Sequence, residues 1–286
     1  MIVYQHDNQV MSSFLLFTDN LLCGTGQAYT NWGSPFYRIS GNVNPYYVYS
    51  APYRPFVADS SVPGAVVMSG VYLNNSFIRT GQSGFVDINY DKGLVYFSNP
   101  VTGNLSGNYA VKDFSIVLTN KPEENLLIET KHNLKPKVGD TITGLNLNDI
   151  VYPVVYLKDN GGFNEAFSLG GCEESVTKAR IIVLASSLYE KDAVGSLLKD
   201  TARSFIGLLT PSEMPFNSLG GFKSGVYNYR NLVAGKAGAS NTLFIKRANV
   251  STFSQENFQS LTSMNPSDVH VVFVDFDLVA YRYPRR

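Results

Sequence analysis

The sequence predicts a mainly β fold with an α+β part, in which an antiparallel β-sandwich or barrel module precedes an α+β domain with one clear amphipathic helix. Three observations predict it. Tyrosine and phenylalanine, which favour strands, supply nearly all of the aromatic residues, with 18 of each beside one Trp. Four runs typical of strands lie between residues 65 and 135, separated by turn residues. Beyond residue 139 the pattern changes to short apolar runs and one helical periodicity.

Residues 1–64 form the first of three predicted segments. They are rich in Tyr, Asn, Gly and Pro and show little periodicity. A solvated tail is the alternative, but the density of tyrosine is unusual for one. We therefore expect an ordered aromatic arm, in which residues 29–56 contact a neighbouring subunit. Tyrosine gives a large contact area with one polar end, and the expected anchors are Tyr46, Tyr47, Tyr49 and Tyr53.

Residues 65–138 are predicted to form the antiparallel β module. Near its middle Val86, Ile88 and Tyr90 alternate with polar residues, as on one face of a strand. The following loop ends in Gly93, which suits a type I turn closed by a glycine bulge, so this region predicts a hairpin. The strands expected in the module cover residues 85–90, 94–98, 108–119 and 126–131.

Residues 139–286 form the predicted α+β domain. A strand over 180–186 leads directly into a helix, with Ser186 or Ser187 as its N-cap. The apolar face of this helix is expected to comprise Leu188, Val194, Leu197, Leu198, Thr201 and Phe205. Further elements are expected over residues 151–157 (strand), 242–248 (strand) and 255–261 (short helix).

The last run, Val269 to Tyr283, predicts an exceptionally long strand. Its first half is apolar on both faces, with Val272 and Val274 on one side and Phe273 on the other. Such a strand should run near the middle of a sheet or cross a subunit boundary.

The charge balance excludes some classes of partner. With 23 basic and 23 acidic residues the net charge is zero, so nothing draws the chain toward nucleic acid and copies of it repel each other little. Charged residues make up only 16% of the sequence, against a usual share of about a quarter. A surface this poor in charge favours self-association, and we expect a homo-oligomer.

The sequence predicts no metal or cofactor site. Cys23 and Cys172 lie far apart and outside any Cys/His cluster, so they are expected to be buried free thiols. Asp275 and Asp277 lie two apart on the last strand and therefore point to the same face. Paired carboxylates there could hold a divalent cation or act as acid and base, whereas a solvated or interfacial strand face is the alternative.

The chain is predicted not to be an enzyme. Its histidines, His6, His132 and His270, are isolated from one another and from any nucleophile at a catalytic spacing. A Ser-His-Asp arrangement is spatial and stays open as an alternative, but no GxSxG elbow nominates a serine. Gly24-Thr25-Gly26 lacks the third glycine of a dinucleotide loop and is typical of a turn.

Both ends of the chain bear on partners and location. Arg282, Arg285 and Arg286 form a basic C-terminus that could contact phosphate or a carboxylate on a partner, or simply be solvated. Residues 1–17 lack the cationic region of a signal peptide, and no apolar run approaches the roughly 18 residues that span a membrane. We expect a protein that is made and used in the cytoplasm, or released by lysis, with neither a membrane nor a nucleic acid as partner.

Residues 84–119, GFVDINYDKGLVYFSNPVTGNLSGNYAVKDFSIVLT, resemble a segment of virion structural proteins of tailed bacteriophages. The shared pattern is an aspartate strand, a tight turn, a G-x-V-x-F strand, a short turn and a Gly-x-Tyr strand. Residues 180–209 are similar to the strand and helix of phage neck and tail-completion proteins. The two regions cover about a quarter of the chain.

This resemblance implies a virion protein that assembles as a ring in the neck or tail, in a connector, tail-completion or terminator role. It implies partners among copies of itself and neighbouring virion proteins, with no small-molecule substrate, and it carries over no functional residue. One alternative is a baseplate, fibre-attachment or receptor-binding protein, which is more often trimeric. Another is a wall hydrolase of the tail, which would need paired carboxylates or metal ligands in a cleft.

Overall fold

The computed structural model describes residues 6–39, 45–127, 134–135, 150–168, 170–236, 241–252 and 269–283. Strands make up 43% of the structure and helices 18%, which confirms a mainly β fold with α+β character. The helices are α1 (His6–Gly24), α2 (Leu188–Lys199) and α3 (Tyr229–Ala234), and residues 123–127 are also helical.

The strands of the first half of the chain are β1 (Tyr29–Pro35), β2 (Tyr37–Arg38), β3 (Tyr47–Ser50), β4 (Val71–Leu73), β5 (Ser76–Ile78), β6 (Phe85–Asn89), β7 (Leu94–Phe97), β8 (Leu105–Lys112) and β9 (Ser115–Thr119). Those of the second half are β10 (Leu134–Lys135), β11 (Ile150–Val151), β12 (Val154–Ala166), β13 (Glu173–Ala185), β14 (Phe205–Gly207), β15 (Thr242–Thr252) and β16 (His270–Arg282). β10 and β11 pair only with each other, in parallel.

The first half of the chain forms an antiparallel β-sandwich. Its sheets have the strand orders β1-β8-β4-β5 and β2-β3-β7-β6, and every pair within them is antiparallel. Side chains from both sheets share one buried core, which includes Tyr49, Val71, Phe85, Phe97 and Tyr109. The predicted antiparallel module is therefore confirmed.

A six-stranded sheet with the order β14-β15-β16-β13-β12-β9 dominates the second half of the chain. β16 lies between β13 and β15 and pairs along its whole length with β13, which confirms the predicted long central strand. Its inner face packs against α1 and α2, with Val272, Val274 and Phe276 in one core. Val271 and Phe273 lie in a second core on the outer face, so the first half of β16 is covered on both sides.

Helix α1 replaces the loop-rich start that the sequence predicted. The helix lies between two cores, since Phe14 belongs to the core beneath the six-stranded sheet and Leu16 to the core of the sandwich. Phe17 packs against both cores. A helix covered on several sides shows no single apolar stripe, which explains why helical periodicity is hard to see there.

The sheets also cross both predicted segment boundaries. β1 belongs to the segment predicted as an arm but pairs with β8, for example Trp32 with Tyr109. β9 belongs to the predicted β module but forms the edge of the six-stranded sheet beside β12, with Ile116 opposite Val155. The boundaries near residues 64 and 138 therefore do not separate independently packed units.

The predicted hairpin is present as β6 and β7, and Gly93 has the positive φ of +60° that its turn requires. The pairing shifts register between Phe85 and Asp87, which marks a β-bulge. As a result Ile88 faces the sandwich core, whereas Val86 packs on the opposite side. The prediction that Val86 and Ile88 share a face is thus corrected by one inserted residue.

Three other element predictions need correction. The strand expected over 108–119 is two strands, because the chain turns at residues 113–114 and β8 and β9 enter different sheets. The strand expected over 126–131 begins in the helical residues 123–127. Helix α2 has Ser187 as its N-cap, as predicted, but it ends at Lys199. The helix expected over 255–261 lies outside the described residues.

The expected apolar face of α2 is also shorter than predicted. Leu198 is buried, whereas Leu188 is 54% exposed. Phe205 lies beyond the helix in β14 and is 69% exposed. The face toward the sheet also includes Gly195, which is buried next to Val272.

Candidate interaction surface on the six-stranded sheet

Within the described residues, the outer face of the six-stranded sheet is covered at one end and open at the other. At one end Val154, Ile182 and Val271 are buried beneath Leu126 and Leu127 of the helical residues 123–127. At the other end the same face lines an open groove of about 520 Å³. Its lining comes from β12, β13, β15 and β16, so the groove lies across four strands of the sheet.

Arg180 of β13 organises the boundary between the covered and the open half. Its Nε and Nη2 donate to the two carboxylate oxygens of Asp275 on β16, at 2.6 and 3.0 Å. Its Nη1 donates to Glu123 at 2.9 Å, which ties the covering helix to the sheet. The Asp275 hydrogen bond raises the pKa of Arg180, which burial alone would lower, and Glu123 adds to the rise. The guanidinium also lies 5.5 Å from the Phe273 ring centroid.

These contacts bear on the role of Asp275 and Asp277, the two aspartates of β16. The Asp275 carboxylate is already held by a bidentate arginine. The Asp277 carboxylate lies 3.9 Å from Nε of Arg247 on β15, on the same face. Across the described part of the chain, no three His, Cys, Asp or Glu side chains come together as metal ligands. The arrangement favours the solvated or interfacial strand face over a cation or acid–base site.

An apolar row crosses the open half of the outer face, from β12 to β14. In cross-strand order it consists of Phe163, Val176, Val279, Phe244 and Phe205. The middle of the row is buried, with Val176 only 5% exposed, but its ends are open, with Phe163 44% and Phe205 69% exposed. The row therefore ends in two large aromatic side chains that the described chain leaves in contact with solvent.

Charged residues flank the apolar row on both sides. Lys178, Asp277 and Arg247 lie opposite one another on one side. On the other side Glu174 accepts from Lys246 at 2.8 Å, and this bond raises the pKa of Lys246. Positive and negative groups alternate across the strands, so the surface offers an apolar centre with a balanced polar rim. Protein–protein interfaces commonly combine an apolar centre with a polar rim, whereas phosphate-binding surfaces carry an excess of positive charge.

The two histidines that the structure describes, His6 and His270, do not come together. His6 lines a small pocket with Arg282 and Tyr283, at the C-terminal end of β16. His270 begins the same strand, so the length of β16 separates the two by roughly 40 Å. His132 lies outside the described residues. That the chain is not an enzyme stays a prediction.

Cys23 is a buried free thiol, as predicted, whereas Cys172 is half-buried and also free. Burial raises the pKa of Cys23, and the nearby Asp19 carboxylate raises it further. A thiol of this kind is a poor nucleophile.

A buried ion pair beside Cys23 joins α1 to the sandwich. Nζ of Lys112 lies 2.5 Å from the Asp19 carboxylate. Burial alone would lower the pKa of Lys112, but Asp19, Cys23 and Asp91 together outweigh burial and the pKa is raised. The neighbouring Asp59 accepts from Asn20 at 2.6 Å and from the backbone N–H of Tyr229 at 2.9 Å. These contacts fix the position of α1 between the two cores.

The predicted anchor tyrosines lie within the folded chain. β3 carries two of them into the sandwich, where Tyr49 is 6% exposed. Each of the four contacts another side chain of the same chain: Tyr46 with Tyr96, Tyr47 with Arg38, Tyr49 with Phe97 and Tyr53 with Trp32. The expected arm is therefore part of the sandwich, and a role of these residues between subunits stays a prediction.

The basic C-terminus is described only in part. Nη2 of Arg282 lies 3.4 Å from the side-chain oxygen of Asn164. Arg285 and Arg286 lie outside the described residues. Arg282 thus contacts β12, and its predicted contact with a partner remains a prediction.

The sequence pointed to Asp275 and Asp277 but missed Arg180, Arg247, Phe163 and Phe205. These residues lie far apart along the chain and become neighbours only when β12 to β16 pair. Opposite charges at matching positions of neighbouring strands are the signal that could have found them, once the register was known.

No protein-family model matches the chain, and no curated protein is significantly similar to it. Within the described ranges, no helix combines the length and apolar character needed to cross a membrane.

Proposed function

We propose that this chain is a structural subunit of a tailed-phage particle that assembles as an oligomeric ring in the neck or tail. Its role is that of a connector, tail-completion or terminator protein, located in the virion. It acts through contacts with copies of itself and with neighbouring virion proteins, without catalysis or a bound cofactor. The phage context rests on the resemblance of residues 84–119 and 180–209.

The observation that carries the assembly role is the open half of the outer sheet face. There the apolar row ends in the exposed rings of Phe163 and Phe205, between rows of balanced charge. A buried aromatic centre with a polar rim is typical of protein interfaces. The zero net charge adds to this, because copies of the chain do not repel each other at long range.

The experiment compares the purified parent with two variants by mass photometry and negative-stain imaging. We expect the parent to form rings, with about 800 Å² buried per subunit at each contact. The double variant Phe163→Ser with Phe205→Ser should shift the population toward monomers while melting like the parent. Tyr189→Ser is the matched control, because Tyr189 is 83% exposed on α2, on the opposite side of the sheet.

The possible outcomes separate the candidate functions. Rings that weaken only in the double variant support the proposal. A trimer supports the baseplate or fibre-attachment alternative, and a monomer that cleaves peptidoglycan supports an enzyme. A parent that stays monomeric at high concentration overturns the assembly role.

A further inference from the structure

Among the described residues, both edges of the six-stranded sheet are open over part of their length. β9 pairs only with Val154–Lys158 of β12, and β14 pairs only with Thr242–Phe244 of β15. In the described part of the chain no strand pairs with the outer edge of residues 162–166 in β12 or 247–252 in β15. Every residue of the first segment is exposed, and so is every residue of the second except Ala248. Unpaired strand edges of this kind are templates for pairing with another chain.

We propose that these two edges pair with each other between copies of this chain, so that the sheet continues from one subunit into the next. This inference rests on the proposed assembly function and adds, beside the outer face, the strand edges that would join two subunits. We call residues 162–166 the acidic edge and residues 247–252 the basic edge.

Direction and length both suit this pairing. β12, β13, β16 and β15 are successively antiparallel, so β15 runs opposite to β12. When a second copy is placed beside the first in the same orientation, its acidic edge therefore runs antiparallel to the first copy's basic edge. The two segments are of nearly equal length, and each begins just after a β-bulge, at Asp159–Gly162 and at Ile245–Arg247.

The charges identify a second copy as the occupant. Glu165 lies directly opposite Glu174 of β13. Lys246 donates a hydrogen bond to Glu174. Within the described residues Glu165 forms no ion pair. Arg247 is 67% exposed and lies 3.9 Å from its acidic neighbour, so it is loosely held. The side chains of Glu165 and Arg247 both point to the outer face. In a register that places them opposite each other, Glu165 of one copy pairs with Arg247 of the next copy.

The same charges disfavour the other ways of pairing these edges. Two acidic edges would bring Glu165 toward another Glu165, and two basic edges would bring Arg247 toward another Arg247. Only the pairing of unlike edges joins opposite charges. Such a head-to-tail contact uses different surfaces on the two partners, and it generates a ring when the rotation between subunits closes.

The positions of the edges also set the geometry of the ring. The acidic edge is level with residues 278–282 of β16, from which β13 separates it, and the basic edge pairs directly with residues 272–277 of β16. In the register that aligns Glu165 with Arg247, which are level with Tyr281 and Asp277 of β16, neighbouring subunits are thus offset by roughly 13 Å along the strands. A closed ring therefore requires strands inclined to the ring axis, as in a β-barrel. Without that inclination the same contact would produce a helical filament.

A charge-exchange experiment tests the pairing in the full-length protein. One variant carries Glu165→Lys and the other carries Arg247→Glu, so each places like charges across the proposed contact. Glu124→Lys and Arg79→Glu are the matched controls, because they make the same charge changes at exposed positions away from both edges. Sedimentation velocity and mass photometry over a range of concentrations report assembly, and circular dichroism confirms that each variant is folded.

We expect each edge variant alone to need about tenfold or more protein to assemble, because like charges meet at every contact. Mixing the two variants in equal amounts should restore assembly. In an alternating assembly, the acidic edge changed by Glu165→Lys meets the basic edge changed by Arg247→Glu, and the two unchanged edges meet each other. The control variants should assemble like the parent, both alone and mixed. Restoration on mixing cannot result from a variant that merely misfolds.

Two outcomes overturn the inference in distinguishable ways. If the parent assembles and both edge variants assemble equally well, the edge pairing is refuted while the assembly function stands. If both edge variants lose assembly and mixing restores nothing, the two edges do not meet each other, and the pairing is again refuted. If the parent itself remains monomeric, the proposed function fails together with the pairing.

Discussion

Val274→Asp tests the position of β16 at the centre of the fold. Val274 is fully buried, and its strand neighbours are Ile181 of β13 and Val250 of β15. Losing the buried valine side chain costs about 1.5 kcal/mol. Keeping the new carboxyl neutral at pH 7, or leaving it unpaired in the core, adds about 3 to 4 kcal/mol. The sum of about 5 kcal/mol is a large part of the 5–15 kcal/mol that stabilises a typical protein.

Thermal unfolding followed by circular dichroism measures this loss. We expect Val274→Asp to lower the melting temperature by about 10 °C or more, or to prevent folding. Val226→Asp is the matched control, because Val226 is 62% exposed and the same substitution there should cost less than about 1 kcal/mol. If Val274→Asp melts within about 2 °C of the parent, β16 is peripheral and the assignment of the sheet core is wrong.

Three further predictions concern titration and reactivity. The hydrogen bond from Lys236 lowers the pKa of Glu213 to about 2, against about 4.3 in an unfolded chain. The ionised Glu213 therefore stabilises the fold above about pH 4.3, and this stability is lost as the pH falls from about 4.3 toward 2. The variant Glu213→Gln should flatten that part of an acid-unfolding curve. Burial raises the pKa of Tyr109 to about 12, against about 10 in an unfolded chain. The stability that the neutral Tyr109 side chain gives below about pH 10 is therefore lost as the pH rises toward 12. Tyrosinate absorbance should rise together with unfolding. An alkylating reagent should modify Cys172 in the native protein but Cys23 only after unfolding, as peptide mass spectrometry would show; early modification of Cys23 would contradict its burial.

The elements that sequence reasoning predicts well are those whose signal is local. The β6–β7 hairpin depends on alternation and on the turn chemistry of Gly93, both of which lie within a few residues. β16 is a mostly apolar run of 13 residues, longer than the usual strand of about five or six, and its first half is apolar on both faces. The N-cap of α2 at Ser187 likewise needs only the residues around it.

The features that it misses depend on tertiary pairing. Helix α1 is covered by two different cores, so its apolar residues form no single stripe. The run over 108–119 keeps a strand-like pattern although the chain changes sheet near Phe114, because that change is decided by which strands lie nearby. The tyrosine-rich segment is compatible with an interface and with a core, because tyrosine packs in both environments, and in the structure Tyr49 lies in the core.

The interaction surface is the part that is least visible in the sequence. Arg180 and Asp275 are 95 positions apart, and only the register of β13 against β16 brings them within hydrogen-bonding distance. The open edges depend in turn on β9 and β14 being shorter than the strands they flank. Neither property follows from composition or from periodicity along one strand.

The most direct test of the account is a cryo-electron microscopy map of the assembled parent protein. We predict a closed ring in which β15 of one subunit lies about 4.8 Å from β12 of the next, as neighbouring strands of one sheet do. Glu165 and Arg247 should then face each other across every subunit boundary. A particle in which both edges face solvent, or a sample that contains only monomers, would contradict the account.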